Sequence, residues 1–383
     1  MDEVVETPTS TPLAEIARLF LRLGLVSFGG PAAHVALMEA EFVRRRRWLT
    51  REAFLDLLSA ANLIPGPNST ELAIHIGFAR AGWPGLLVAG VCFILPAALI
   101  VGALAWGYVR YGALPAIAGI LAGVMPVVIA IVLQAIVSLA RGLARSRLVG
   151  IVGIAALVAT ALGVHELVVL VAAGGTTWAA SRLARDGGGT RTLSVATLAL
   201  PAFTAAAGTA VPFALGTLFL VFLKIGALLF GSGYVLLAFL RADLVVRLGW
   251  LTERQLLDAI AVGQVTPGPV FTTATFVGYL LGGASGAAVA TVGIFLPAFV
   301  FVAASGVLLP RLRGSAGARA VLDGVNVASL ALMTVVTAQL ARTALTGAFG
   351  IVLFTASAVA LIRFRVGATW LVLAGALLGA ALR

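Results

Sequence analysis

Charge is scarce in this sequence: 11% of its 383 residues are Asp, Glu, Lys or Arg, against about 25% in soluble globular domains. With 61% of the residues apolar, too little polar surface exists to cover a water-soluble fold. Cysteine is nearly absent. The single thiol, Cys92, excludes an internal disulfide and any site built from several thiolates. Three scattered histidines leave no cluster for zinc, so neither a metal nor another cofactor is expected. Segments of alternating apolar and polar residues, the mark of a membrane β-barrel, are missing as well.

Long apolar runs stand in their place. Gly85 to Tyr108 and Pro115 to Leu139 each exceed the roughly 20 residues that cross a bilayer core. The expected fold class is an all-α, polytopic integral membrane protein. The net charge of +11 comes largely from arginines in short loops between these runs, where they orient a membrane protein, and nucleic-acid binding is not expected. Met1 to Ser10 is acidic and polar and lacks a signal-peptide pattern, so the first apolar segment is expected to stay in the mature chain.

The sequence repeats itself. Phe20-Leu-Arg-Leu-Gly returns as Phe222-Leu-Lys-Ile-Gly, 202 positions later. At the same shift Glu41 meets Asp243, Trp48-Leu49-Thr50 meets Trp250-Leu251-Thr252, and Pro65-Gly66-Pro67 meets Pro267-Gly268-Pro269. After one deletion Gly77 pairs with Gly278 and Pro96 with Pro297. A first repeat is assigned to residues 1–180 and a second to 214–383. A basic, glycine-rich linker with an unmatched apolar piece, Leu193 to Phe213, occupies 181–213. Thr50 and Thr252 are expected to cap helices, the latter in a capping box with Gln255. Asp56 and Asp258 lie one turn into those helices, where the dipole favours a carboxylate.

The prolines should break a helix in two at each Pro-Gly-Pro. Broken helices inside lipid are tolerated where they line a cavity, and transporters build substrate sites there. A turn at the membrane surface is the plainer alternative. A site-forming break would place Gly66 and Gly268 at the turn and offer the helix-start N–H groups of Ser69, Thr70, Thr272 and Thr273 to an anion. Asn62 and Gln264, just before the breaks, either donate to that anion or satisfy freed carbonyls.

Arg22 and Lys224, the chain's one lysine, occupy matched places in the first helix of each half. A charge there costs about 2.5–3.5 kcal/mol on insertion scales, which points to anion contact, or else to snorkelling toward the interface. Gly29, Gly30, Gly231 and Ser232 follow closely and either let backbone approach a substrate or serve helix packing. Arg44 to Arg47 read as an orienting anchor, and His34 and His75 as packed groups. Glu71 and Asp323 are expected to be intramembrane acids, without a matched acid in the other half, open to a proton relay or to pairing with arginine. His165-Glu166 reads as a short loop. No nucleophile with a base or paired carboxylates is evident, so an intramembrane enzyme is a remote alternative.

These residues, Phe28-Gly29-Gly30-Pro31, Trp48-Leu49-Thr50, Pro65-Gly66-Pro67-Asn68 and their second-half partners, resemble the chromate ion transporter family in its long, two-repeat form. The resemblance covers nearly the whole chain. It implies export of chromate across the bacterial inner (plasma) membrane, giving resistance, with sulfate or another oxyanion as the alternative cargo. Chromate, sulfate, membrane lipid and a second copy of the chain are the partners it brings into view. The basic excess moves from the Arg141, Arg145, Arg147 loop in the first half to the Arg311, Arg313, Arg319 loop in the second. That shift predicts that the second half is inverted.

Overall fold

The computed structural model describes residues 11–28, 30–112, 115–143, 146–183, 212–230, 235–312, 315–345, 347–364 and 366–381. Gly29, Gly231, Ser232 and most of the linker and its apolar piece therefore lie outside the described residues. Every described element is helical. In the first half these are α1 (Leu13–Val26), α2 (Gly30–Met38) continued by wider π turns over Glu39–Arg45, α3 (Arg51–Ala61), α4 (Asn68–Tyr111), α5 (Pro115–Leu143), α6 (Arg147–Ala161) and α7 (Glu166–Leu183). The second half repeats them as α8 (Leu215–Leu228), α9 (Leu236–Leu240) with π turns over Arg241–Arg247, α10 (Glu253–Val265), α11 (Thr273–Leu312), α12 (Ala316–Ala344), α13 (Gly347–Arg363) and α14 (Ala368–Ala381).

Four of these helices, α4, α5, α11 and α12, contain stretches long and apolar enough to cross a membrane. The 44 residues of α4 are really two arms. Ala81 and Gly82 leave the helical region, Gly82 at φ +60°, and the chain doubles back into a hairpin of arms 68–80 and 83–111. Gly282 and Gly283 repeat those angles within a few degrees and fold α11 into arms 273–281 and 284–312. Only glycine enters that left-handed region without strain. Gly77 against Gly85, and Gly278 against Gly286, let the arms touch through bare backbone. Each long arm spans about 43 Å, more than the roughly 30 Å hydrocarbon core.

Thr50 accepts from the Ala53 N–H at 3.2 Å, and Thr252 with Gln255 forms the expected capping box. Both helices then stop at Pro-Gly-Pro, as the backbone chemistry of proline requires.

The two halves exchange contacts reciprocally. Gly66 N–H donates to Leu229 O at 2.8 Å, and its counterpart Gly268 N–H donates to Ser27 O at 2.9 Å. Gly123 of α5 meets Gly375 of α14, while Gly324 of α12 meets Ala173 and Thr177 of α7. Such paired, self-complementary contacts mark a two-fold relation. The direction of its axis follows from register. Along arm 83–111, Ala97 faces Gly268 and Gly102 faces Thr275, so this arm runs with arm 273–281. Arm 284–312 doubles back on the latter, hence the two long arms run opposite ways. With the long arms as spans, the axis lies across them and the second half is inverted.

Candidate functional site

The Pro-Gly-Pro turns sit at the middle of the molecule. Ala97 is the midpoint of arm 83–111 and Ala298 the midpoint of arm 284–312. A Cβ on Gly268 would lie 2.7 Å from Ala97 Cβ, and one on Gly66 3.9 Å from Ala298 Cβ. Gly66 and Gly268 hold φ of +138° and +90°, so glycine is demanded by conformation and by space together. Each turn closes on the C-terminal end of the other half's first helix, near the depth where the long arms are halfway across.

Polar groups gather around the first-half turn. His34 bridges Ser27 O and Ser69 Oγ, both at 3.1 Å, and stands edge-on to Phe93. A carbonyl only accepts, so Nε2 carries the proton toward Ser27, and Nδ1 of the neutral ring accepts from the Ser69 hydroxyl. Ser27 Oγ, Thr70 Oγ1 and both oxygens of Glu71 are buried without a hydrogen-bond partner among the described residues. Glu71 is 0% exposed, and its carboxyl lies against Gly66. The start of arm 68–80 thus already faces a carboxyl of its own.

Around the second-half turn the hydroxyls are occupied locally. Thr272 donates to Pro269 O and Thr273 to Val270 O, both at 2.8 Å. No acid stands where Glu71 stands in the first half, because Thr273 takes that position. Gln264 is partly buried beside the turn. Asn62 is exposed, and its carbonyl accepts from Asn68 Nδ2 at 2.6 Å, a side-chain bond across the turn.

The matched cations differ. Arg22 is exposed and has no ion pair among the described residues; it stands two residues from Gly24, whose bare backbone packs on Phe93 and Pro96 near the arm midpoint. It lines a cavity of about 270 Å³ with Leu19, Leu23, Val26, Leu37, Ala40, Glu41 and Arg45. Glu41 there is held by Arg46 at 2.7 Å and Arg45 at 3.3 Å. Partial burial would raise the Glu41 carboxyl, but the hydrogen bonds and charges of Arg46 and Arg45 outweigh it and keep its pKa below the ordinary value. Lys224 instead binds Asp243 at 2.5 Å, with Arg247 on the same carboxylate at 2.8 Å and Glu166 at 3.9 Å. Asp243 is 1% exposed. Gly30, at φ +77°, starts α2 and does not line this cavity.

Sequence reasoning singled out Lys224 but not the acid that holds it. Asp243 had a signal: each half carries an acid 19 residues after its cation, Glu41 after Arg22 and Asp243 after Lys224. The hydrogen bond from Tyr108 Oη to Asp258, 2.7 Å long and 150 positions apart, had none.

The family model described as "Chromate transporter" matches residues 14–178 and again 216–380. A chromate transport protein of Cupriavidus metallidurans is 31% identical over 379 residues, 98% of this chain and 94% of that one. One from Pseudomonas aeruginosa is 34% identical over 354 residues, 89% of this chain and 83% of its own. No solved structure matches the chain.

Proposed function

This chain belongs to the chromate transporter family, and from that premise we propose that it exports chromate from a bacterial cytoplasm across the inner membrane and so confers resistance. Membership makes it a multi-pass membrane transporter, and its relatives are named as transport proteins. The observation that carries the reading is the meeting of both Pro-Gly-Pro turns at the midpoints of the opposite half's long arms. Backbone freed from helix at that depth is tolerated beside a watery path and is the usual setting of a transporter's substrate site.

In this reading Arg22 draws the oxyanion into the first crevice. Gly66 and Gly268 let it pass close to backbone, and the start of arm 273–281, with Thr272, Thr273 and Gln264, receives it. The first-half helix start, with Ser69, Thr70 and Asn62, is the poorer receiver because Glu71 faces it. Lys224 takes its turn when released from Asp243. The transport unit comprises repeats 1–180 and 214–383 joined through 181–213. Moving a dianion outward from a negative interior gains about 4.6 kcal/mol at 100 mV, so membrane potential alone can drive export.

Sulfate is a tetrahedral dianion of similar size, and donors arranged for one suit the other. Cells expressing the chain should tolerate chromate and accumulate less of it than cells with an empty vector. Unchanged chromate accumulation together with altered uptake of labelled sulfate would assign the path to sulfate instead.

A further inference from the structure

The matched crevices of the two halves are caught in different states. Under the repeat, Arg22, Glu41 and Arg45 correspond to Lys224, Asp243 and Arg247. In the first half the crevice between α1 and the α2 region is open: Arg22 and Val26 are exposed, and Arg22 makes no ion pair among the described residues although Glu41 lines the same cavity. In the second half the equivalent space is shut. Phe239 is 0% exposed where its counterpart Leu37 is half-buried, and Leu228 and Ala242 are half-buried where Val26 and Ala40 are exposed, while Leu19 and Leu23 are as buried as Val221 and Ile225; Lys224 clamps α8 to the buried Asp243.

Because the halves are inverted, these crevices open toward opposite faces of the membrane. We propose that the Arg22–Glu41 and Lys224–Asp243 pairs form by turns, each closing its own crevice while the other stands open, and that the two pairs are the gates of the transport path. This rests on the transport reading and adds the groups that alternate access. The physics supplies the coupling. An oxyanion on Arg22 repels Glu41 and holds the first crevice open. Once the anion has moved to the Pro-Gly-Pro turns, Arg22 is free to take Glu41 from Arg45 and Arg46. In the second half an arriving anion must compete with Asp243 for Lys224, so closure there ends only when Asp243 lets go. A two-state carrier requires two packings only a few kcal/mol apart, and exchange of the halves' conformations would supply the second.

The test reads water access and needs no chromate, so its failure and a failure of the substrate assignment are told apart. In a Cys92→Ser chain, reconstituted in lipid, Leu37→Cys reports the first crevice and Leu228→Cys the second through their rates of reaction with a water-soluble methanethiosulfonate. Asp243→Asn, which removes the second gate, should speed labelling at Leu228→Cys severalfold and slow it severalfold at Leu37→Cys. Glu41→Gln, on a partly exposed and more tolerant residue, should do the reverse by keeping the first crevice open. A substitution that changes only its own crevice, with the other rate unmoved, would show static asymmetry and overturn the proposal. The Glu41→Gln arm stands by itself, so the proposal can still be upheld or overturned if Asp243→Asn fails to fold.

Discussion

At the scale of single residues, transport depends on places where one atom more or one charge fewer has no room to be absorbed. Gly66→Ala puts a methyl group against Glu71 at φ +138°, and Gly268→Ala puts one 2.7 Å from Ala97 Cβ at φ +90°. Both should lower chromate flux strongly, and more than alanine in place of Arg44 or Arg45, which lie on the π turns with exposed guanidinium groups; flux assays on purified variants decide. Arg22→Gln should abolish most transport while the protein still inserts, since Arg22 is exposed and supports no ion pair among the described residues. Lys224→Gln should affect stability too. It leaves buried Asp243 with Arg247 alone, and removing one partner of a buried pair costs about 3–5 kcal/mol, an upper bound here because Arg247 remains; a lower melting midpoint in detergent is expected. The residues legible in advance were those whose chemistry is local: prolines that cannot continue a helix, threonines that cap one. Asp243 was within reach of the repeat, which sets an acid 19 residues after the cation in each half, whereas Tyr108 was hidden because Asp258 lies 150 positions away and no local pattern encodes a tertiary hydrogen bond.

At the scale of elements, the helix break was legible and the hairpin was not. Pro-Gly-Pro announces itself, whereas Arg80-Ala81-Gly82-Trp83-Pro84 marks only where the apolar run from Gly85 begins, and it takes the left-handed φ of Gly82 and the approach of Gly77 to Gly85 to show that the chain doubles back. Alanine at Gly82 or Gly283 should therefore destabilise the hairpin tip by about 1 kcal/mol or somewhat more for a residue held in the left-handed region, although the added methyl group would meet nothing within 4 Å at either position. Thermal unfolding of the two variants checks this. The hydrogen bond from Tyr108 joins a long arm to α10 of the other half. Tyr108→Phe leaves Asp258 buried with one bond fewer and should cost about 1–3 kcal/mol, with no change in the charge of the path.

At the scale of the molecule, the repeat was legible because duplication preserves order and spacing, and inversion was suggested by where arginines gather in loops. The reciprocal bonds of Gly66 and Gly268, and the opposed long arms, supply the geometry that loop charge alone lacks. In a Cys92→Ser background, Gly112→Cys and Ser315→Cys mark matched ends of the two long arms. An impermeant thiol reagent should label only one of them in intact cells; equal labelling would mean parallel halves.

The most direct test of the central claim, an oxyanion path between the two midplane turns entered past Arg22, is chromate flux in liposomes holding the purified chain, with the potential imposed in each direction. Efflux should quicken when the chromate-filled compartment is made negative, slow when the sign is reversed, and fall to near the protein-free level in Arg22→Gln. Flux no greater than in protein-free liposomes, or undiminished in Arg22→Gln, would contradict the claim.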